Sequence, residues 1–156
     1  MRPDQVEELS DESLLAVRAF RTTLHVAARL RAAMDRRLRE DGLTTQQAAL
    51  ITVVEAAGAP SLSEAAEALT CTRQNLKQLA NALRRKGLLE LRADPHDARI
   101  TRLVATQRSR DYWATRDAGD VEAITGWFGD LDPAALQALV TSLETVLARV
   151  DDHGEG

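Results

Sequence analysis

Apolar residues recur in steps of three and four through Leu14, Val17, Phe20, Leu24, Ala27, Leu30, Met34 and Leu38, the spacing of one helix face. Ser10 stands at the cap position, Asp11 and Glu12 fall in the first turn, and Asp41-Gly42 ends the run. A helix of about 30 residues would be about 45 Å long. That is more than so small a domain covers by itself, so either the helix kinks or, as expected here, a second subunit covers the remainder. Residues 1–9 are acidic and are expected to be poorly ordered. A second helix starts at Thr44 or Thr45 and runs through Ala57, with Ala48, Ile51, Val54 and Ala57 as its inner stripe. The segment Gly58 to Pro60 breaks it. Ser61 to Leu69 reads as a short third helix, capped by Ser61 with Glu64 in a capping box or equally by Ser63.

After a tight turn at Thr70-Cys71, a fourth helix is expected over Thr72–Lys86, with Leu76, Leu79, Ala80 and Leu83 facing inward and Gly87 as its stop. Leu88 to Arg92 then reads as a strand, Asp94 to Arg99 as a turn, and Ile100 to Val104 as the returning strand. A fifth helix runs from Thr106 to about Phe128, carrying Tyr112, Trp113, Val121, Ile124 and Trp127, with Gly119 and Gly126 as places for a bend. Asp132 caps a last helix that has Pro133 at its first position and Leu136, Leu139, Val140, Leu143, Val146, Leu147 and Val150 as its stripe. Two short helices joined by a turn and followed by a hairpin form a winged helix-turn-helix. The fold class expected is therefore mainly α with a small β-hairpin wing. Residues 1–41 supply an N-terminal dimerisation helix, 42–105 the winged lobe, and 106–156 further dimerisation helices that interlock with a twofold mate.

The net charge of −4 over 156 residues argues against a nucleic-acid partner only until it is divided along the chain. Residues 72–116 hold 11 basic and 4 acidic side chains, against 8 and 11 in residues 1–71 and 1 and 9 in residues 117–156. A segment of +7 thus coincides with the fourth helix and the hairpin, where it sets up a local positive field. The single Cys permits no intrachain disulfide, which suits a reducing cytoplasm. His25, His96 and His153 are too scattered for a metal site, and no apolar run is long enough for a membrane span or signal peptide.

The outer face of the fourth helix carries Arg73, Gln74, Asn75, Lys77, Gln78 and Asn81 with no carboxylate among them. Arg and Lys bond guanine edges and Asn and Gln bond adenine, so this face suits a major groove entered by the start of the helix. Arg84, Arg85 and Lys86, at the far end, suit phosphates or the negative helix end. Arg99 is within reach of Asp97, which can orient its guanidinium for a narrow minor groove or simply stiffen the turn. The candidate DNA-binding set is completed by Ser61, Thr72, Arg84 and Arg92 beside Asp97 and Arg99.

Four segments in this order carry a family resemblance: Gly42-Leu43-Thr44-x-x-Gln47, Ser63-Glu64-x-Ala66-x-x-Leu69, Leu83-x-x-Lys86-Gly87-Leu88 and Asp94-Pro95-x-Asp97-x-Arg99. The chain resembles the MarR family of bacterial transcriptional regulators over about residues 10–150. The resemblance implies an obligate, triangular homodimer on palindromic operators, repression, and release by a small ligand or an oxidant. Two positions depart from the pattern. Ala98 stands where a second basic residue often precedes the wing Arg, and Ala105-Thr106-x-x-Ser109 replaces Leu-Thr-x-x-Gly, which implies altered geometry at the start of the fifth helix.

Family members that bind phenolic or aromatic anions do so between the dimerisation helices and the DNA-binding lobe. The corresponding candidates are Phe20, His25, Met34, Tyr112 and Trp113, with Arg21 or Arg29 to meet a carboxylate; core or interface packing is their alternative role. Cys71, in the turn before the fourth helix, reads as a buried structural thiol, with redox sensing as the alternative. No phosphate loop, clustered metal ligands or nucleophile–base pair points to an enzyme or a cofactor. The remaining rival is a helical protein–protein adaptor on a winged-helix scaffold, since fold does not fix function.

Overall fold

A computed structural model of the chain describes residues 10–154. The expectation for residues 1–9 lies outside the described residues, as does the side chain of His153. The elements follow in the order α1 (Asp11–Leu38), a 3₁₀ turn (Arg39–Asp41), α2 (Thr45–Ala57), α3 (Leu62–Ala68), α4 (Arg73–Arg85), β1 (Leu89–Ala93), β2 (Thr101–Ala105), α5 (Gln107–Trp127) and α6 (Pro133–Gly154). The helical chain with one antiparallel hairpin is the winged helical class expected from the pattern. No described helix is long and apolar enough to cross a membrane.

The described residues divide into two compact units between Ser109 and Arg110, with α5 beginning in the first and continuing into the second. The core of the first unit is built from Leu38 at the end of α1, Leu50, Ile51 and Val54 of α2, Ala65 and Ala66 of α3, Leu76, Ala80 and Leu83 of α4, and Leu89 and Leu103 of the hairpin. Each helix in it starts on a side-chain cap. Ser10 Oγ accepts from Ser13 N, Thr44 and Gln47 form a capping box, and Ser61 and Glu64 form another. The cap of α3 is thus Ser61 rather than Ser63. Asp35 ties α1 to α2 by accepting from both the amide and the hydroxyl of Thr45, each at 2.7 Å. Those two hydrogen bonds hold the Asp35 carboxyl below its usual range.

Several local expectations shift. The inner stripe of α2 is Gln47, Leu50, Ile51 and Val54, whereas Ala57 is exposed and Ala48 only half-buried. The stripe is turned toward the bulkier Leu50, because α2 must pack on α1, α3, α4 and β2 together. Both strands start one residue later than expected. Gly87 takes the left-handed conformation (φ 71°) and Leu88 N donates to Leu83 O at 3.0 Å, so Leu88 still belongs to the helix stop. Ile100 N donates to Asp97 O at 2.9 Å, which keeps Ile100 in the turn. The hairpin then pairs Leu89 with Ala105 and Arg92 with Arg102.

Thr106 caps α5: its hydroxyl donates to Gly87 O at 2.8 Å and accepts from Ser109 N at 3.1 Å. Ser109, at the position that departs from the family pattern, is fully buried and its hydroxyl finds no partner among the described residues. That leaves a desolvated polar group where glycine would leave none.

In the second unit α5 is helical past Gly119 and ends one residue beyond Gly126. Asp132 caps α6 by accepting from Ala135 N at 2.8 Å, with Pro133 in first position. Leu136, Leu139, Val140, Leu143, Val146, Leu147 and Val150 are all exposed on α6, as are Val121, Ile124 and Trp127 on α5. On α1, Leu14, Leu15, Phe20, Leu24 and Val26 are exposed as well.

Candidate nucleic-acid interface

The α3–α4 turn is set by its backbone. Thr70 adopts a left-handed conformation (φ 48°), and Cys71 N donates to Ala66 O at 2.9 Å, which ends α3 and redirects the chain. Thr72 then caps α4, its hydroxyl accepting from Asn75 N at 3.1 Å. The apolar side of α4 sinks Leu76, Ala80 and Leu83 into the core, with Leu79 half-buried. Arg73, Gln74, Lys77, Gln78 and Arg84 are exposed on the opposite side. Thr72→Ala should cost about 1 kcal/mol through the lost cap. Thermal unfolding checks the size, and a loss below a few tenths would contradict the role given to the hydroxyl.

Asn75 and Asn81 are half-buried and do not share the open face given to them by the pattern. Asn75 lies four residues before Leu79 and flanks the buried stripe, so it lines a cavity of about 170 Å³ with Arg31, Thr45, Gln46, Ala49, Leu69, Cys71 and Leu79. The half-buried thiol of Cys71 opens onto the same cavity.

The wing is a chain of hydrogen bonds. Asp94 Oδ1 accepts from His96 N at 2.8 Å and Asp97 N at 3.1 Å, closing the turn. Asp97 in turn accepts from the Arg99 amide and from Nε, both at 3.0 Å, and from Nη2 at 2.8 Å. The guanidinium of Arg99 is thereby aimed while its side chain stays 91% exposed. The expected pairing of Asp97 with Arg99 is present, and it orients a cation that remains open to solvent.

Three other cations of the +7 segment face carboxylates. Arg92 pairs with Glu90 at 2.6 Å and Arg116 with Asp120 at 2.8 Å. Arg102 meets both Asp94 (2.7 Å) and Glu64 (2.9 Å). In the sequence Arg102 is visible only as a charge. Glu64, 38 positions away, gave no local signal of the pairing.

Arg102 holds the carboxyl of Asp94 well down, to about 2, aided by the amides of His96 and Asp97. The folded value lies below the ordinary 3.8, so the group stabilises the wing above about pH 4 and loses that contribution as pH falls toward about 2. Thermal melts of wild type should therefore lose stability between pH 4 and 2, and Asp94→Asn should flatten part of that decline.

Across from the wing tip lies the start of α4. Arg73 and Arg99, with Ser61, Leu62, Ser63, Ile100 and Thr101, line one groove of about 310 Å³. Candidates from three separate stretches of sequence are thus brought together: Ser61 at the cap of α3, Arg73 in the first turn of α4, and Arg99 at the wing. The ligand candidates sit on α1 and α5. Phe20, Arg21 and His25 are exposed on α1, where His25 Nε2 accepts from Arg29 Nε at 3.3 Å. Tyr112 and Trp113 stack edge to face at 4.8 Å on α5. None of the five lines either of these two cavities.

Comparison with known proteins agrees with this geometry. Residues 41–100 match the MarR family model. No curated protein matches the chain in sequence. Solved structures that share the fold include a MarR protein from Peptoclostridium difficile (TM-score 0.80, 17% identity, covering 94% of this chain and 92% of that one). The S. aureus MepR–DNA complex aligns with TM-score 0.72 and 16% identity over 83% of this chain and 94% of that one. Bordetella bronchiseptica BpsR, whose DNA binding is regulated by 6-hydroxynicotinic acid, aligns with TM-score 0.71 and 23% identity over 80% and 90%. The chain thus carries the MarR family match over its winged helix, and the winged helical fold of MarR transcriptional regulators along most of its length.

Proposed function

We propose that this chain is a DNA-binding transcriptional repressor that acts as a homodimer on an inverted-repeat operator. The observation that carries the reading is the groove shared by Arg73 and Arg99, with the open polar face of α4 beside it. The face supplies donors and acceptors for base edges in a major groove, from Arg73, Gln74, Lys77 and Gln78. Arg99 is presented from the wing to a phosphate or the neighbouring minor groove. MepR, with the same fold, has been seen bound to DNA.

One copy presents one reading helix, which suffices for a half-site. The exposed apolar side chains of α1 and α6 are the surface through which a second copy is expected to join. Release by a small aromatic acid is the regulatory half of the reading, by analogy with BpsR. Phe20, Arg21, His25, Tyr112 and Trp113 are its candidate contacts. Such a ligand acts only through unequal affinity for the dimer conformations that fit and do not fit the operator.

Selection of bound duplexes from a random pool tests the proposal. It should return an inverted repeat whose half-site centres lie about one helical turn apart, ~34–36 Å. Sedimentation should give a two-chain particle, reduced to one chain by Leu147→Glu on α6 with the winged lobe still folded. A wild-type monomer, or a selected sequence without twofold symmetry, would reject the dimeric reading.

A further inference from the structure

Arg102 is half-hidden at 31% side-chain exposure, whereas the wing-tip Arg99 is 91% exposed. Its guanidinium spans two elements. Nε donates to Asp94 Oδ2 in the wing turn at 2.7 Å, and Nη1 donates to Glu64 Oε2 in α3 at 2.9 Å. The Asp94 side chain is only 9% exposed, so the wing end of this bridge is the more sheltered one. Glu64 Oε2 also accepts the Ser61 amide at 2.6 Å, which makes the α3 capping box the anchor of the bridge. Backbone pairing runs alongside, with Ser61 bridged to Arg102 and Leu103 N donating to Pro60 O at 2.8 Å.

From Arg102 the chain of contacts continues to Arg99. Asp94 accepts from the Asp97 amide, and the Asp97 carboxylate holds the Arg99 guanidinium. Ser61 at one end of this chain and Arg99 at the other line the same groove as Arg73. We propose that Arg102 is a positioning residue for DNA recognition. It bolts the wing to the cap of α3 and so fixes where Arg99 stands relative to the first turn of α4. This rests on the DNA-binding reading above.

Partly exposed ion pairs contribute little to stability, and backbone pairing keeps the hairpin attached without them. Their effect is therefore on preorganisation. A wing held in its binding position loses less freedom when DNA arrives. A planar fork suits the task because one guanidinium meets two carboxylates in fixed directions, which a Lys ammonium does not.

The sign of a charge change separates this role from plain electrostatics. Glu64→Gln keeps the capping-box geometry, because Gln serves at that position. Asp94→Asn keeps an acceptor for the turn amides. Together they remove two negative charges beside a basic face, which by field effects alone tightens DNA binding. The positioning role predicts weaker binding instead.

The experiment titrates the full chain against the tightest duplex selected by wild type, using fluorescence anisotropy at fixed salt, with thermal melts alongside. Arg102→Ala and the Glu64→Gln/Asp94→Asn pair should each weaken binding by roughly tenfold at a temperature where the melts show every variant folded. Arg102→Lys should restore only part of the Arg102→Ala loss. In an Arg99→Ala background, Arg102→Ala should add almost nothing, because its effect passes through Arg99. Full additivity of the two substitutions, or tighter binding by the carboxylate pair, overturns the positioning role. Failure of wild type to bind any duplex rejects the DNA-binding reading and the positioning role with it. Should Arg102→Ala fail to fold, the carboxylate pair decides the matter by the sign of its effect.

Discussion

Replacing Arg73 and Arg99 together by alanine should reduce duplex affinity by about a hundredfold or more, on the basis of about 1–3 kcal/mol for each well-made contact to DNA. Arg73 and Arg99 line one groove from two elements, so their loss removes two cations from the candidate DNA cradle. Each phosphate neutralised should also contribute about 0.9 to the salt slope, so a double variant that loses two such contacts becomes shallower by about 2 per chain. Stability should hardly move, because the Arg99 pair with Asp97 is on the surface and Arg73 is exposed. Anisotropy titrations over a range of salt concentrations read both quantities. An unchanged affinity and slope would mean that the groove does not meet DNA.

The largest effect on stability is expected at Leu76. It is fully buried beneath the start of α4, in the same helix that carries the proposed reading face. Leu76→Ala should cost about 2–5 kcal/mol, from lost transfer energy and the cavity left behind. A domain of this kind has about 5–15 kcal/mol in total, so a large share of the margin would go. Denaturant unfolding measures the loss. At temperatures where the variant remains folded, a small opening of the core under α4 should also weaken DNA binding, because the reading face is carried on that packing. A cost under 1 kcal/mol would show that α4 is not held in the way described.

These two positions mark what the sequence could and could not disclose. Leu76, Ala80 and Leu83 were legible because helix periodicity is local. So were the caps at Ser10 and Asp132, each a polar residue three places before the amide it satisfies, whereas Ser61 and Ser63 were equal candidates for α3. The Asp97–Arg99 pair was legible for the same reason, its members being two residues apart. The Arg102 bridge was not, because its partner Glu64 is distant in sequence and comes near only once the hairpin folds back on α3. Arg92, Arg102 and Arg116 each face a carboxylate, pairings that a net charge does not disclose.

Tertiary packing also overrode local pattern on α2 and α4. The burial of Gln47 and Leu50 in place of Ala57 follows from the several elements that α2 meets. Asn75 shares its stretch of α4 with the exposed candidates Arg73, Gln74, Lys77 and Gln78 but is itself half-buried. Its place beside Leu79 turns it toward the cavity that also holds Cys71.

The most direct test of the central claim is the binding of wild type to a selected duplex as a function of salt. Two chains that each present Arg73, Lys77, Arg84 and Arg99 should give a log–log slope of about −4 to −7, at roughly 0.9 per neutralised phosphate. A steep slope of that size, together with a footprint repeated about one helical turn apart, is the result expected. No binding at low salt, or binding with a slope near zero, would contradict it.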